Sequence, residues 1–335
     1  AQESRGLGDV YKRQHQGHAP VHEFFRGERV PCFEKPARVD YVEEALRARG
    51  HTMAAPDVDC SAVLEQLHAP RYLAFLQAAW QQWLALDPAN AAVQPFPSVW
   101  PVRTLRSDVE PDNFVARLGL YSMDNGTPMA AGTWAAAKAG ADAAASAAAR
   151  VAQGTRAAFC CTRPPGHHAG PDFMGGYCFL NNAAVAAQTL RNQGAQRVAV
   201  LDVDYHHGNG TQSIFYDRSD VLFISIHGDP RTEYPFYLGH ADETGEGAGA
   251  GFNLNLPLPA GTSAATWFDA LEKACARIAE YRADGLVISL GLDAFEGDPI
   301  SRFALASSDF TRLGERLARL GLPTVFVLEL SLIHI

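Results

Sequence analysis

The sequence predicts an α/β fold, with a doubly wound, mostly parallel sheet and helices on both of its faces. Two observations carry this prediction. Short, uninterrupted apolar runs recur along the chain, as strands buried on both faces require. These runs alternate with longer segments of helical periodicity, which is the pattern of βα units. The predicted strands lie near residues 157–162, 197–203, 221–227, 285–291 and 323–329.

Helices are predicted both before the first strand and between the strands. The segment 70–86 carries an apolar stripe that includes Leu73, Leu76 and Trp80. The alanine-rich segment 129–153 contains Lys138 and Arg150, so it is predicted to be a close-packed helix rather than a membrane span. The other predicted helices cover 38–49, 183–193, 264–282 and 308–320.

One segment without periodicity is predicted to be irregular. Residues 87–125 are rich in Pro, Asp and Asn, and we expect them to form long loops around a substrate site.

Length and composition fit one large domain. The chain has 335 residues, 47% of them hydrophobic, with no linker-like segment. A formal net charge of −9 disfavours nucleic acid as a partner and suits a small cationic substrate, although acidic surfaces also serve solubility. We expect residues 15–329 to be that domain.

Cysteine spacing and hydropathy predict the compartment. The six cysteines show no CxxC spacing, which favours reduced thiols over a disulfide framework. No stretch of about 20 apolar residues is present and no signal peptide opens the chain. We therefore expect a cytoplasmic protein without a membrane partner.

The run DVDYHHGNGT at 202–211 has the composition of a metal site. It follows an apolar strand, so its side chains fall at the carboxyl end of the sheet, where such folds bind ligands. Asp204 and His206 can point the same way from an extended chain, and Asp293 follows another apolar run. An Asp/His/Asp set leaves one position of a tetrahedral zinc ion open, as in catalytic sites. Any one of these residues alone could be a cap or a loop hydrogen-bonder.

The tandem histidines of PPGHHAG at 164–170 form a second candidate group. The preceding Pro-Pro-Gly turn can aim both rings into one cleft, and neutral imidazole is suited to proton transfer near pH 7. Asp202 and Asn209 could each accept a hydrogen bond from one ring and fix its tautomer. The alternative is a surface loop in which His167 and His168 have no chemical role.

Together with GGYCFLNN at 175–182, ISIHGDP at 224–230 and GLDAFEGDP at 291–299, these motifs resemble the zinc-dependent deacetylases of the arginase–deacetylase superfamily. Within it, the chain is most similar to the bacterial acetylpolyamine amidohydrolases, which are related to histone deacetylases. The resemblance spans roughly residues 21–329. Arginases are less similar, because this chain has no DxHxD run to hold a second metal.

The resemblance implies a role for each matching residue. Asp204, His206 and Asp293 would hold Zn²⁺, with Fe²⁺ as an alternative. His168 would be the general base and acid, and His167 would be paired with Asp202. Asn209 stands behind His168 where some relatives carry Asp.

The resemblance also implies a substrate tunnel, a second ion and a partner. Tyr177 and Tyr234 match the aromatic walls, the Gly176 carbonyl matches the acceptor for the substrate amide N–H, and Asp124 matches a polar rim position. A structural K⁺ and a homodimer follow from the family alone. The residues that match the potassium site are Asp202, Asp204, His206, Ser225 and Ile226.

The resemblance implies deacetylation of acetylated polyamines, or else of acetyl-lysine in proteins or of other small acylamines. The family's catalytic tyrosine, in a Gly-Gly-Tyr sequence after the last Glu, has no counterpart, because Glu329 is followed by Leu-Ser-Leu-Ile-His-Ile. Residues 1–14 and 330–335 look foreign, so we expect a non-native leader, a non-native tail and a truncated domain. The competing hypothesis is a zinc-binding pseudoenzyme.

Overall fold

The computed structural model describes residues 14–330, and its core is a six-stranded parallel sheet. The strands follow the order β3-β8-β7-β4-β5-β6. They are β3 Ala157–Cys160, β4 Val198–Asp202, β5 Val221–Gly228, β6 Asn253–Leu258, β7 Gly285–Leu290 and β8 Thr324–Leu328. The predicted leader, apart from Gln14, and residues 331–335 of the predicted tail lie outside the described residues.

Helices cover both faces of this sheet, as predicted. They are α1 Ala37–Ala48, α2 Ser61–Leu67, α3 Pro70–Leu86, α4 Phe114–Leu120, α5 Thr133–Ala152, α6 Asn182–Asn192, α7 Asn209–Phe215, α8 Ala264–Tyr281 and α9 Ser307–Ala318. Alternate residues of a strand point to opposite faces. Val198 and Val200 accordingly pack into the core with α5 and α6, whereas Ala199 and Leu201 pack into the core with α8 and α9.

A separate hairpin lies outside the main sheet. Strands β1 His22–Phe25 and β2 Glu28–Pro31 pair antiparallel. Arg26 and Gly27 join them with φ of 53° and 85°, which is the left-handed conformation that tight hairpin turns use.

The expectation that residues 87–125 are loops throughout is wrong in two places. Pro88–Ala92 is a 3₁₀ helix and Phe114–Leu120 is α4. The side chain of Asn113 accepts a hydrogen bond from Ala116 N and so caps α4. Phe114 and Leu118 are buried in the helical core, the hydrophobic cluster that also contains side chains of α2, α3 and α5. This burial stabilises the short helix.

Two further expectations can be compared with the structure. Among residues 14–330, no helix is long and apolar enough to cross a membrane. All six cysteines fall in the described part of the chain, where they are buried and no disulfide joins them.

Candidate active site

The site lies at the carboxyl edge of the central strands. β4 pairs with β7 so that Asp202 is opposite Ser289. The segment after β4 carries Asp204 and His206, and the segment after β7 carries Asp293. Because parallel strands end at the same edge, this register brings the two segments together.

Asp204, His206 and Asp293 form one buried cluster. One ligand atom from each lies within 4.8 Å of the other two. Nδ1 of His206 is 2.9 Å from Oδ2 of Asp293, and Tyr205 N donates to Oδ1 of Asp293 at 2.8 Å. A Cβ at Gly291 would lie 2.1 Å from the Asp204 carboxylate, so glycine leaves room for this side chain.

The charges of this cluster fit a bound divalent cation. Burial and the negative charge of Asp204 hold the pKa of Asp293 well above its usual range. Burial opposes ionisation of Asp204 too, but the charge of His167 and a hydrogen bond from His206 hold the pKa of Asp204 below its usual range. Two buried carboxylates so close cannot both ionise without a cation. Carboxylate oxygens with one imidazole nitrogen suit zinc or ferrous iron.

His167 and His168 stand beside the cluster with their ring centroids 4.0 Å apart. Nδ1 of His167 is 3.0 Å from Oδ2 of Asp202, and Nδ1 of His168 is 2.6 Å from Oδ1 of Asn209. The structure thus brings each ring to its expected partner. Nε2 of His167 is buried without a hydrogen-bond partner among the described residues.

The two rings differ in protonation. Burial lowers the pKa of His167, but the charges of Asp204 and Asp202 outweigh burial and raise that pKa to about 10. Burial and the charge of His167 hold the pKa of His168 well below its usual range. His168 is therefore neutral and can accept a proton, whereas His167 is an imidazolium.

Glu329 fixes the turn that carries the histidines, and the sequence analysis gave it no role. Its Oε2 accepts hydrogen bonds from Gly166 N at 2.7 Å and His167 N at 3.1 Å. Its Oε1 accepts one from the Ser289 hydroxyl at 2.9 Å. A glutamate that ends an apolar strand run is the signal that could have identified it.

Tyr234 lies beside the histidines and is hydrogen-bonded to Asp124. The Tyr234 ring meets the His168 ring edge-on, with centroids 5.0 Å apart. Oδ2 of Asp124 accepts hydrogen bonds from the Tyr234 hydroxyl and from Gly176 N, both at 2.7 Å. Its Oδ1 accepts from Gly126 N and the Thr127 hydroxyl. The Asp124 carboxylate therefore connects Tyr234 to Gly126, Thr127 and Gly176 through hydrogen bonds.

Tyr177 is hydrogen-bonded to the β1–β2 hairpin. Its φ of 66° is unusual for a residue with a Cβ. Its hydroxyl donates to Oε1 of Glu23 at 2.8 Å, and Glu23 is 1% exposed. Glu23 is a second residue that the sequence analysis missed, because the contact joins positions 154 apart in the chain.

The residues expected to hold potassium lie on the adjacent strands β4 and β5 and in the segment that follows β4. Asp202 of β4 is opposite Ser225 of β5 in the sheet, and Ile226 follows. Asp204 and His206 lie in the segment that continues from β4.

Known proteins are similar to this chain over most of its length. Residues 32–329 match the histone deacetylase domain. The chain is 51% identical to acetylpolyamine amidohydrolase 2 of Pseudomonas aeruginosa, over 96% of this chain and 92% of that one. It is 42% identical to acetylpolyamine amidohydrolase of Mycoplana ramosa, over 96% and 93% respectively.

A solved structure agrees as well. The crystal structure of acetylpolyamine aminohydrolase from Burkholderia pseudomallei matches with a TM-score of 0.88 and 40% identity, covering 94% of this chain and 91% of that chain. The family resemblance predicted from the motifs is confirmed, and so is the fold class predicted from the alternation of apolar runs and helical segments. The chain belongs to the histone deacetylase family.

Proposed function

We propose that this protein hydrolyses the acetyl amide bond of acetylated polyamines in a zinc-dependent reaction. The observation that carries the proposal is that two groups lie side by side. The buried Asp204, His206 and Asp293 cluster lies next to a neutral His168, with ring centroids of His168 and His206 6.2 Å apart. A metal site beside a neutral base is the arrangement that hydrolysis of an unactivated amide needs.

Asp204, His206 and Asp293 would hold the metal. Zinc bound there supplies Lewis-acid chemistry, because it polarises a carbonyl and makes water more acidic. His168, with Nδ1–H directed to Asn209, would take a proton from the attacking water at Nε2 and return it to the departing amine. His167, held by Asp202, would stabilise the negative charge that develops on the acetyl oxygen.

The aromatic walls would orient the substrate. Tyr177 and Tyr234 would flank the alkyl chain and exclude water, and the Gly176 carbonyl would accept the amide N–H. The relatives named acetylpolyamine amidohydrolases support a polyamine as the substrate. The net charge of −9 supports attraction of a polycation.

The segment after Glu329 bears on the rate. Residues 330–335 contain no tyrosine, although Leu330 N donates to Oδ2 of Asp204 at 3.2 Å. Removing one oxyanion donor typically slows an enzyme by about 100-fold to 1,000-fold. We therefore expect slow turnover from this chain, and faster turnover when residues 330–335 are replaced by a Gly-Gly-Tyr continuation.

The test measures metal content and turnover together. Purified protein should hold about one zinc per chain, Asp293→Ala should lose it, and the exposed Asp269→Ala should keep it. The form with the Gly-Gly-Tyr continuation should hydrolyse N-acetylputrescine faster than an acetyl-lysine peptide.

Three results would contradict the proposal. Turnover that persists in metal-free protein would exclude a metal-dependent reaction. Preference for the peptide would favour a protein deacetylase. Zinc binding without hydrolysis of either substrate would identify a pseudoenzyme.

We also propose that potassium binds at Asp202, Asp204, His206, Ser225 and Ile226 as a structural ion. The support is the β4–β5 register, which faces Asp202 with Ser225. Exchange of potassium for a bulky organic cation should lower the unfolding temperature of the wild type. An unfolding temperature that does not depend on potassium would rule out this ion.

A further inference from the structure

The Asn209 side chain lies between His168 and a methionine that the proposed mechanism does not use. Its Oδ1 is 2.6 Å from Nδ1 of His168. Its Nδ2 donates to Sδ of Met123 at 3.3 Å. Both ends of the amide are therefore engaged, the oxygen by the imidazole and the nitrogen by the thioether.

The orientation of this amide selects the tautomer of His168. With Oδ1 toward the ring, Nδ1 must carry the proton and Nε2 keeps its lone pair. If the amide turned over, Nδ2 would donate to Nδ1 and the ring proton would move to Nε2. A neutral ring protonated at Nε2 has no lone pair at that nitrogen, so it cannot take a proton from water there, and its one basic nitrogen, Nδ1, faces Asn209 instead.

A thioether can distinguish the two amide orientations. Sulfur is a weak acceptor and has no proton to donate, so it favours the N–H side of the amide over the oxygen side. A carboxylate at position 209 would not need this help, because both of its oxygens are acceptors. An amide at position 209 therefore needs a third residue to determine which of its two ends faces His168.

The backbone fixes Met123 in this position. Met123 N donates to Met174 O at 2.9 Å, which joins the segment of Met123 to the one that leads to Gly175. A Cβ at Gly175 would lie 2.1 Å from Cγ and 2.7 Å from Sδ of Met123. The absence of a side chain at Gly175 leaves the space that the thioether occupies.

We propose that Met123 is a positioning residue, which holds the Asn209 amide with its oxygen toward His168 and so keeps Nε2 of His168 unprotonated. This inference rests on the proposed function, in which His168 is the base. Met123 does not contact the reacting atoms in this scheme and acts only through Asn209.

The test is the tautomer of His168 in Met123→Leu, measured on the full chain. Leucine keeps the apolar volume and removes the acceptor. In protein with ¹⁵N-labelled histidine, the ring nitrogen shifts distinguish a protonated from an unprotonated nitrogen, and His168→Gln assigns the signals. The ratio of Nδ1–H to Nε2–H should fall about threefold to tenfold in Met123→Leu, as for one lost hydrogen bond.

Two controls make the result specific. Met129 is buried and its side chain belongs to the helical core, so Met129→Leu makes the same chemical change elsewhere and should leave the ratio unchanged. In an Asn209→Asp background, Met123→Leu should also leave the tautomer unchanged, because a carboxylate needs no orientation. A His168 ratio that is equal in wild type and Met123→Leu would overturn the inference.

Turnover separates this inference from the proposed function. In the form with the Gly-Gly-Tyr continuation, Met123→Leu should lower kcat in proportion to the lost Nδ1–H population, with KM unchanged. If wild type hydrolyses no acetylated amine, the proposed function fails, and the tautomer measurement still decides the role of Met123. If wild type is active and the tautomer does not change in Met123→Leu, only the role of Met123 fails.

Discussion

His167 and His168 are adjacent in the chain, but different groups surround their rings. Two carboxylates face His167 and raise its pKa to about 10. An amide faces His168, and burial holds its pKa well below the usual range. One neutral and one charged ring of this kind can divide proton transfer and charge stabilisation between them.

This difference predicts unequal effects of mutation. His168→Ala should lower kcat by about 100-fold to 10,000-fold, because a general base is lost. His167→Ala should leave a slow residual rate, since only electrostatic stabilisation is removed. Turnover of N-acetylputrescine by the form with the Gly-Gly-Tyr continuation measures both effects.

Metal content is the control for these two variants, because neither histidine belongs to the Asp204 cluster. Both variants should keep their zinc. Near-normal turnover of His168→Ala would show that another group is the base.

The sequence could predict which of these side chains meet only where they lie close together along the chain. Asp202, Asp204, His206 and Asn209 lie within eight positions of one another, so their shared location was evident. Met123 meets Asn209 across 86 positions. Only the folded chain defines that contact, and local periodicity contains no information about it.

At the scale of elements, the end of β8 supports the turn that follows β3. Burial raises the pKa of Glu329 to about 7 against the opposing charge of His167. Its carboxyl group serves two backbone N–H groups and one hydroxyl. These groups are buried, so they depend on Glu329 for their hydrogen bonds.

Glu329→Ala should therefore lower the free energy of unfolding by about 2–4 kcal/mol, because buried donors lose their acceptor. Glu329→Gln is the matched control, since it keeps one carbonyl oxygen and should lose less. Denaturant unfolding near pH 7 measures both variants. Equal losses would mean that the carboxylate charge, rather than the hydrogen bonds, stabilises the turn.

The elements whose bounds were predicted well have an uninterrupted apolar run or a regular helical apolar stripe in the sequence. Helix α3 has the predicted bounds, 70–86, and β4, β5, β7 and β8 fall within one residue of prediction at each end. Strand β6 was not predicted, because Asn253 and Pro257 interrupt its apolar run. The short helices α2, α4 and α7 were not predicted either, because helices of seven residues depend on tertiary packing for their stability.

For the whole molecule, buried neutral histidines predict sensitivity to acid. Burial lowers the pKa of His18 to about 3 and those of His68 and His227 to about 4. His68 is held neutral by two contacts of opposite kind. Its Nδ1 donates to Gly170 O, and its Nε2 accepts from Asn181 N.

The direction in which stability changes with pH follows from proton uptake by the unfolded chain. Below about pH 6.5 the unfolded chain protonates these histidines and the folded chain does not, so stability falls as pH falls toward 4. Above pH 6.5 they contribute no pH dependence.

His68→Gln should reduce the slope of unfolding free energy against pH by up to about 1.4 kcal/mol per unit between pH 6 and 4.5. His51→Gln is the control, because His51 is exposed. Urea titrations at several pH values measure the slope, and an unchanged slope in His68→Gln would show that His68 titrates normally in the folded state.

The expected homodimer is a prediction at the same scale. Between residues 93 and 109, five aliphatic side chains are about half exposed, namely Val93, Val99, Val102, Leu105 and Val109. Such exposed apolar groups favour a protein interface. Sedimentation should give a dimer, and Val102→Glu with Leu105→Glu should give a monomer. Leu86→Glu, a control at another exposed site, should remain dimeric.

The position of β8 in the sheet affects the order in which the chain can fold during synthesis. β8 lies between β3 and β7, and among residues 14–330 β3 pairs with β8 alone. While the ribosome is still synthesising residues before 324, β4, β5, β6 and β7 can already associate, but β3 has no strand to join. The tandem histidines that follow β3 can therefore be fixed at the ends of β4 and β7 only after β8 has been synthesised, so the metal cluster can assemble before its proton-transfer partners do.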